Sequence, residues 1–161
     1  MTLRPPTRAA TIAVRPVTTQ DVEGWLELRR ALWPEGSEAE HRVEIARFFA
    51  GELAEPLAVL VADNPVEAGR LVGLVELSIR ACAEGCRGTR VAYLEGWFVE
   101  PAARGRGIGR ALIAAAEEWG RRQGCREFAS DARAEDARSA AAHRGVGFTE
   151  VGLVRCFRKD L

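Results

Sequence analysis

Residues 104–110 read Arg-Gly-Arg-Gly-Ile-Gly-Arg, and they join an apolar run at 93–99 to a segment with helical periodicity. A backbone with glycine at Gly105, Gly107 and Gly109 wraps closely around an anion. A helix that starts directly after it offers unpaired N–H groups and the positive end of its dipole. Arg104, Arg106 and Arg110 place cationic donors at the same point. Any fold for this chain must therefore contain a strand, a phosphate-holding turn and a helix in direct succession. The spacing weakens two nucleotide readings. A dinucleotide fingerprint needs glycine where Arg110 stands, and a P-loop needs Gly-Lys-Ser/Thr where Gly109-Arg110-Ala111 stands. A plain change of chain direction has little use for three glycines and three arginines together.

The segments on either side give the order. Residues 1–10 show no periodicity and read as a mobile leader, ahead of a single domain over 11–161. Residues 12–15 form a short strand closed by Pro16. Thr18 or Thr19 then caps a helix with Val22, Trp25, Leu26 and Leu32 on its apolar face, and Trp33-Pro34 breaks it. A second helix runs over 37–53, stopped by Pro56. Strands at 57–62 and 71–80 make a hairpin about Asn64-Pro65 and Gly69, and a loop over 82–90 leads to the strand 91–99, ended by Pro101. The next helix places Ile108, Leu112, Ala115 or Ala116, and Trp119 on one face, and Gly124 ends it. A strand over 126–130, a helix over 135–145 and a last strand over 150–158 complete an α/β order βααβββαβαβ.

Composition removes several functions. Lys plus Arg, 23, equals Asp plus Glu, 23, so no global field selects nucleic acid or an anionic membrane. No apolar run reaches the length of a membrane span, and the first residues lack a signal-peptide core, so the expected location is the cytoplasm. Cys82, Cys86, Cys125 and Cys156 form no paired metal-ligand spacing and only two histidines accompany them, so they read as reduced thiols and no metal is expected.

Arg-x-x-Gly-x-Gly at a strand-to-helix turn resembles the acyl-CoA pyrophosphate loop of the GNAT N-acetyltransferase superfamily, and the element order matches that family over nearly the whole domain. Three stretches are similar to the bacterial aminoglycoside 6′-N-acetyltransferases: Leu28-Arg29-Arg30-Ala31-Leu32-Trp33; Tyr93-Leu94-Glu95-Gly96-Trp97-Phe98-Val99-Glu100-Pro101; and Ala129-Ser130-Asp131 followed by Ser139, His143 and Gly147-Phe148. The resemblance implies a GNAT fold, a mixed sheet of about six to seven strands with about four helices. It also implies acetyl-CoA as co-substrate, an aminoglycoside as acceptor and a homodimer, in which the final apolar strand would pair across a two-fold.

Attack of a primary amine on a thioester needs an anion cradle, a base and a donor for the developing charge. The cradle is Arg104, Gly105, Arg106, Gly107, Ile108, Gly109 and Arg110. The resemblance implies that the backbone of Trp97, Phe98 and Val99 binds the pantetheine arm like an added strand, with Asp136 and Ser139 also beside the cofactor. Glu95 is an unusual carboxylate in a mostly apolar strand and is the candidate base or ammonium anchor, the plain alternative being a side chain that faces solvent. Glu76 on the preceding strand is a second candidate, against a structural, partner-paired role. Trp33 and Asp131 match family positions that hold the drug, against core packing for Trp33 and turn capping for Asp131. His143 stands where many relatives carry a general-acid Tyr. It reads as a donor to the CoA sulfur, a packing residue or an exposed residue near a helix C-terminus.

Two positions depart from the family pattern. Asp136 stands where many members have Asn beside the CoA arm, and Gly152 stands where an acidic residue is common. The same loop would also serve acetylation of a protein N-terminus, a polyamine or another small amine. It would serve equally an inactive CoA-binding module, against which the retained Glu95 argues.

Overall fold

The computed structural model describes residues 12–160. The expected leader, 1–10, lies outside them. Strand β1 (Val14–Pro16) leads through a 3-10 turn, Thr19–Asp21, into helix α1 (Val22–Leu32), followed by α2 (Glu38–Phe49). Ser37 caps α2: its hydroxyl accepts from the Glu40 N–H (3.2 Å) while the Glu40 carboxylate accepts from the Ser37 N–H (2.8 Å). The helix ends at Phe49, short of the expected 53, because the chain turns back at Gly51 and the Glu52 N–H returns to the Arg47 carbonyl (3.0 Å).

Strands β2 (Ala58–Asp63) and β3 (Leu71–Arg80) form the expected hairpin, β4 (Val91–Val99) follows, and helix α3 (Ile108–Arg122), strand β5 (Phe128–Ser130) and helix α4 (Ala137–Gly145) complete the described elements. The sheet runs β1-β2-β3-β4-β5, antiparallel up to β4, with β5 parallel to β4.

Among the described residues the sheet thus has five strands, not six to seven. The difference is the tail: residues 149–160 form no ladder, and Val151, Leu153, Val154 and Phe157 are exposed, Phe157 at 91%. The expected strand over 150–158 has the apolar content of a strand but pairs with no strand among the described residues.

Two cores sandwich the sheet. On one face α3 buries Ile108, Leu112, Ile113 and Ala116 against Leu60, Val75, Leu77 and Leu94. On the other, α1 and α2 bury Trp25, Leu26, Leu28 and Ile45 against Val59, Val61, Leu71 and Leu74. Among the described residues no helix is long and apolar enough to cross a membrane.

A charged pair lies inside the second layer. Glu76 is 2% exposed and accepts from Trp25 Nε1 (2.8 Å), while Arg29 Nε stands 3.3 Å from the same oxygen and Arg29 Nη2 reaches Glu44. Burial pushes the Glu76 carboxyl above the ordinary carboxylate range, and Arg29 and the Trp25 N–H oppose it. Removing one partner of a buried pair strands the other charge. Arg29→Met is therefore expected to cost about 3–5 kcal/mol in urea unfolding followed by circular dichroism, and Arg29→Met with Glu76→Leu to recover most of that loss.

Candidate active site

The register of β4 creates the site. On β3, Glu76 pairs with Gly96 and the next residue, Leu77, pairs with Leu94, so Glu95 is an extra residue in β4. The bulge turns Glu95 and Gly96 toward the α1 face together, while Leu94 before it and Trp97 after it both pack into the α3 core. On its other edge β4 pairs with β5 only at Ala92, Tyr93 and Leu94, the last opposite Ser130. Beyond that pair the strands part, and among the described residues no strand pairs with that edge of residues 96–99.

The open edge leads to the glycine loop. Gly105 and Gly107 take the left-handed conformation (φ 76° and 83°), which suits glycine, and Gly107 caps α3. The first helical N–H to find a carbonyl within α3 is that of Ala111, on Gly107 (3.0 Å), so those of Ile108, Gly109 and Arg110 have no backbone acceptor among the described residues. The Ile108 side chain is core, so only its backbone is available to a ligand. Arg104 donates to the Val99 carbonyl (2.8 Å) and lies over Phe98, and Arg110 donates to the Gly145 carbonyl (2.8 Å), which ties α3 to the end of α4. Arg106 is exposed at the mouth of the loop. This donor set fits a diphosphate: backbone N–H groups at a helix N-terminus, ringed by guanidinium groups.

Glu95 is not free in solvent. Arg80 grips its carboxylate from two sides (2.7 and 3.1 Å), and Ser78 donates to it. The Arg80 guanidinium also covers the Tyr93 ring at 3.5 Å, and the Tyr93 hydroxyl donates to Asp131 (2.7 Å). Burial, then Asp131, push the Tyr93 hydroxyl above its ordinary value. Glu95 and Asp131 are thus the two ends of one chain of contacts. Trp33, the C-cap of α1, is half-buried beside the bulge, under Arg29 at 5.1 Å. Gly96 lets it approach: a Cβ there would stand 2.7 Å from the indole Cη2.

Glu76 does not join this group, since its carboxylate is enclosed by Trp25 and Arg29. Asp136 caps α4 by accepting from the Ser139 N–H (2.9 Å). His143 stacks edge-on against Trp97 and Phe148 (5.5 and 5.3 Å), with Nδ1 on the Ser139 carbonyl (2.8 Å) and Nε2 on the Ser130 hydroxyl (3.0 Å). Tyr93, Ser130, Asp131, His143 and Phe148 share a cavity of about 230 Å³. Among the described residues no group of three or more His, Cys, Asp or Glu is placed to hold a metal. Reading the sequence missed Ser78, Arg80 and Tyr93 as partners of the carboxylates. Strand alternation carried the signal, since Ser78 and Arg80 share one face of β3.

The Acetyltransferase (GNAT) family model matches residues 23–148, which contain both the fork and the loop. The aminoglycoside N(6′)-acetyltransferase type 1 of Klebsiella aerogenes is 53% identical over 148 residues, 92% of this chain and 96% of that protein. Its counterpart from Stenotrophomonas maltophilia is 38% identical over 154 residues, 95% and 96% of the two chains. The solved structure of the aminoglycoside N-acetyltransferase AAC(6′)-Iy with CoA superposes with a TM-score of 0.86 at 34% identity, covering 99% of this chain and 100% of that one. The same enzyme with the bisubstrate analogue CoA-S-monomethyl-acetylneamine gives 0.84 at 33% identity, covering 94% and 99%. With a split sheet, a glycine loop at the end of its open strand and these matches along most of its length, the chain belongs to the GNAT acetyltransferase family.

Proposed function

We propose that this protein transfers the acetyl group of acetyl-CoA to the 6′-amine of aminoglycosides, and so confers resistance to them. The observation that carries the reading is the fork: a strand edge open over 96–99 runs from the glycine loop at one end to Glu95, Asp131 and Trp33 at the other. The loop of residues 104–110 holds the pyrophosphate of CoA. The backbone of Trp97, Phe98 and Val99 takes the pantetheine arm as an added strand, with an N–H at Phe98 or Val99 facing the thioester oxygen. Asp136 and Ser139 flank that arm from the start of α4. An aminoglycoside is a polycation with sugar rings, and it suits a cleft that offers two carboxylates and the flat face of Trp33. Glu95 anchors the attacking ammonium and takes its proton directly or through water, in exchange for part of its contact with Arg80. Relatives named aminoglycoside N(6′)-acetyltransferase at up to 53% identity support this acceptor.

Two finer features belong to the same reading. The exposed apolar tail of residues 151–157 and the outer edge of β5, beside a cavity of about 450 Å³ lined by Gly85, Phe128, Phe148 and Val151, support a homodimer in which the tail of one copy covers the edge of the other. The four cysteines are unpaired, which suits the reducing cytoplasm.

The direct test is thiol release from acetyl-CoA with kanamycin, tobramycin, gentamicin, a test peptide and spermidine side by side. Turnover is expected with the three drugs. Turnover confined to the peptide or to spermidine would move the acceptor to that class, and thiol release with none of the five would leave only CoA binding.

Gly107→Glu is expected to abolish CoA binding in calorimetry while the protein stays folded, because it places a carboxylate in the cradle. Gly107→Ala shares the left-handed strain, about 1–2 kcal/mol, without the charge, and is expected to retain binding. Glu95→Gln is expected to lower kcat by roughly 10²–10⁴-fold with CoA affinity unchanged, the range typical of a lost general base. Wild-type kcat in that variant from pH 6 to 9 would place the base elsewhere.

A further inference from the structure

Ser130 has no part in the chemistry above, yet it closes the fork. It is the last residue of β5 and stands opposite Leu94, where the two strands stop pairing. Its hydroxyl is 3.0 Å from His143 Nε2 and 3.3 Å from the Leu94 carbonyl oxygen. His143 Nδ1 faces the Ser139 carbonyl at 2.8 Å, and a carbonyl only accepts, so Nδ1 carries a proton. The Ser130 hydroxyl has one proton and two neighbours able to take it, Nε2 at 3.0 Å and the Leu94 carbonyl at 3.3 Å. With its ring held between Trp97 and Phe148, His143 fixes where that hydroxyl sits.

We propose that Ser130 is a catalytic residue of acetyl transfer, whose hydroxyl donates to the thioester sulfur as it leaves, with His143 as the positioning residue behind it. The inference rests on the acetyl-transfer reading. Four open residues at about 3.3 Å each give an edge of about 13 Å. An extended arm anchored at the glycine loop follows that edge, and its reactive end arrives where Leu94 and Ser130 bring the strands together. In the step itself, the lone pair of the amine forms the C–N bond, and the C–S bond breaks with its electron pair passing to sulfur. The Ser130 hydroxyl turns from these acceptors to hydrogen-bond that sulfur and keeps its proton. Glu95 holds the proton taken from the ammonium before attack, the second proton on nitrogen passes to water, and the departed thiolate takes a proton from solvent.

A thiol with a pKa of about 8.5 is already a competent leaving group, so the aid needed is small. Sulfur is also a weak acceptor, so the donor is expected to supply roughly tenfold in kcat, below the roughly 10²–10³-fold of an oxyanion-hole donor.

The test uses the full chain with kanamycin and acetyl-CoA, following thiol release and melting temperature. Ser130→Ala is expected to lower kcat about tenfold, with KM for both substrates and Tm unchanged, and Ser130→Thr, which keeps a hydroxyl, to restore most of the rate. Wild-type kcat in Ser130→Ala would overturn the role of Ser130 and leave the acetyl-transfer reading intact. Equal losses in the Ala and Thr variants with a matching fall in Tm would make Ser130 structural and also overturn it. A wild-type protein that releases no thiol with any amine would overturn both.

Discussion

One extra residue in β4 organises the molecule. Strand alternation would place Leu94 and Trp97 on opposite faces of the sheet, yet both pack against α3, and only the insertion of Glu95 reconciles them. The same insertion turns Glu95 and Gly96 toward α1, and it coincides with the point where β5 stops pairing. A carboxylate, a landing place for an indole and an unpaired strand edge thus share a single local cause. A regular β4 would continue its ladder with β5 and leave no edge for a ligand to complete.

Charge within the sheet is handled by two arginines with different tasks. Arg29 is buried between Glu76 and Glu44 and stacks near Trp25 and Trp33, so it fixes α1 on the sheet and holds the indole of Trp33 from behind. Arg80 lies nearer the surface and holds Glu95 through a contact that a substrate ammonium can share. Breaking the first pair leaves a charge with no water to receive it, whereas loosening the second exposes both partners to solvent or to a cationic ligand. The site is therefore rigid beneath Trp33 and exchangeable at Glu95. Both properties suit the proposed reaction, in which the cleft binds a polycation and then releases a less charged product.

Much of this was legible in the sequence, because the glycine loop, the apolar periodicity of α1 and α3 and the hairpin are local features. The loop residues came out where spacing put them, as did the break at Trp33, whereas the N-cap of α1 is Asp21 and the expected Thr18 and Thr19 lie at the 3-10 turn before it. The bulge was not legible, since it depends on the register of two strands that the sequence of one strand does not state. Glu95 was identifiable as an anomaly, but its grip by Arg80 depends on side chains 15 residues apart meeting across that register. Glu76 and Glu95 look alike in sequence, as acidic residues in apolar strands, and only the placement of Trp25 and Arg29 over the first separates them. The tail failed for another reason: apolar content marks residues that prefer burial but does not say whose surface buries them.

The third glycine of the loop has a different task from the first two, and it joins the two ends of the site. Gly105 and Gly107 are needed for their left-handed backbone. Gly109 is helical, and a Cβ there would come within 3.0 Å of the Trp97 ring. Trp97 in turn stacks against His143, which holds Ser130 at the closed end of the fork. Glycine at 109 thus lets the first turn of α3, which offers the diphosphate donors, rest on the side chain that backs the reacting end. In the proposed reading the anchor and the chemistry are set by one packed stack, Gly109 to Trp97 to His143, so the reach between them is a property of the core and not of a loop. Because protein interiors resist small changes of volume, a bulkier residue at 109 would shift that reach without touching either ligand group.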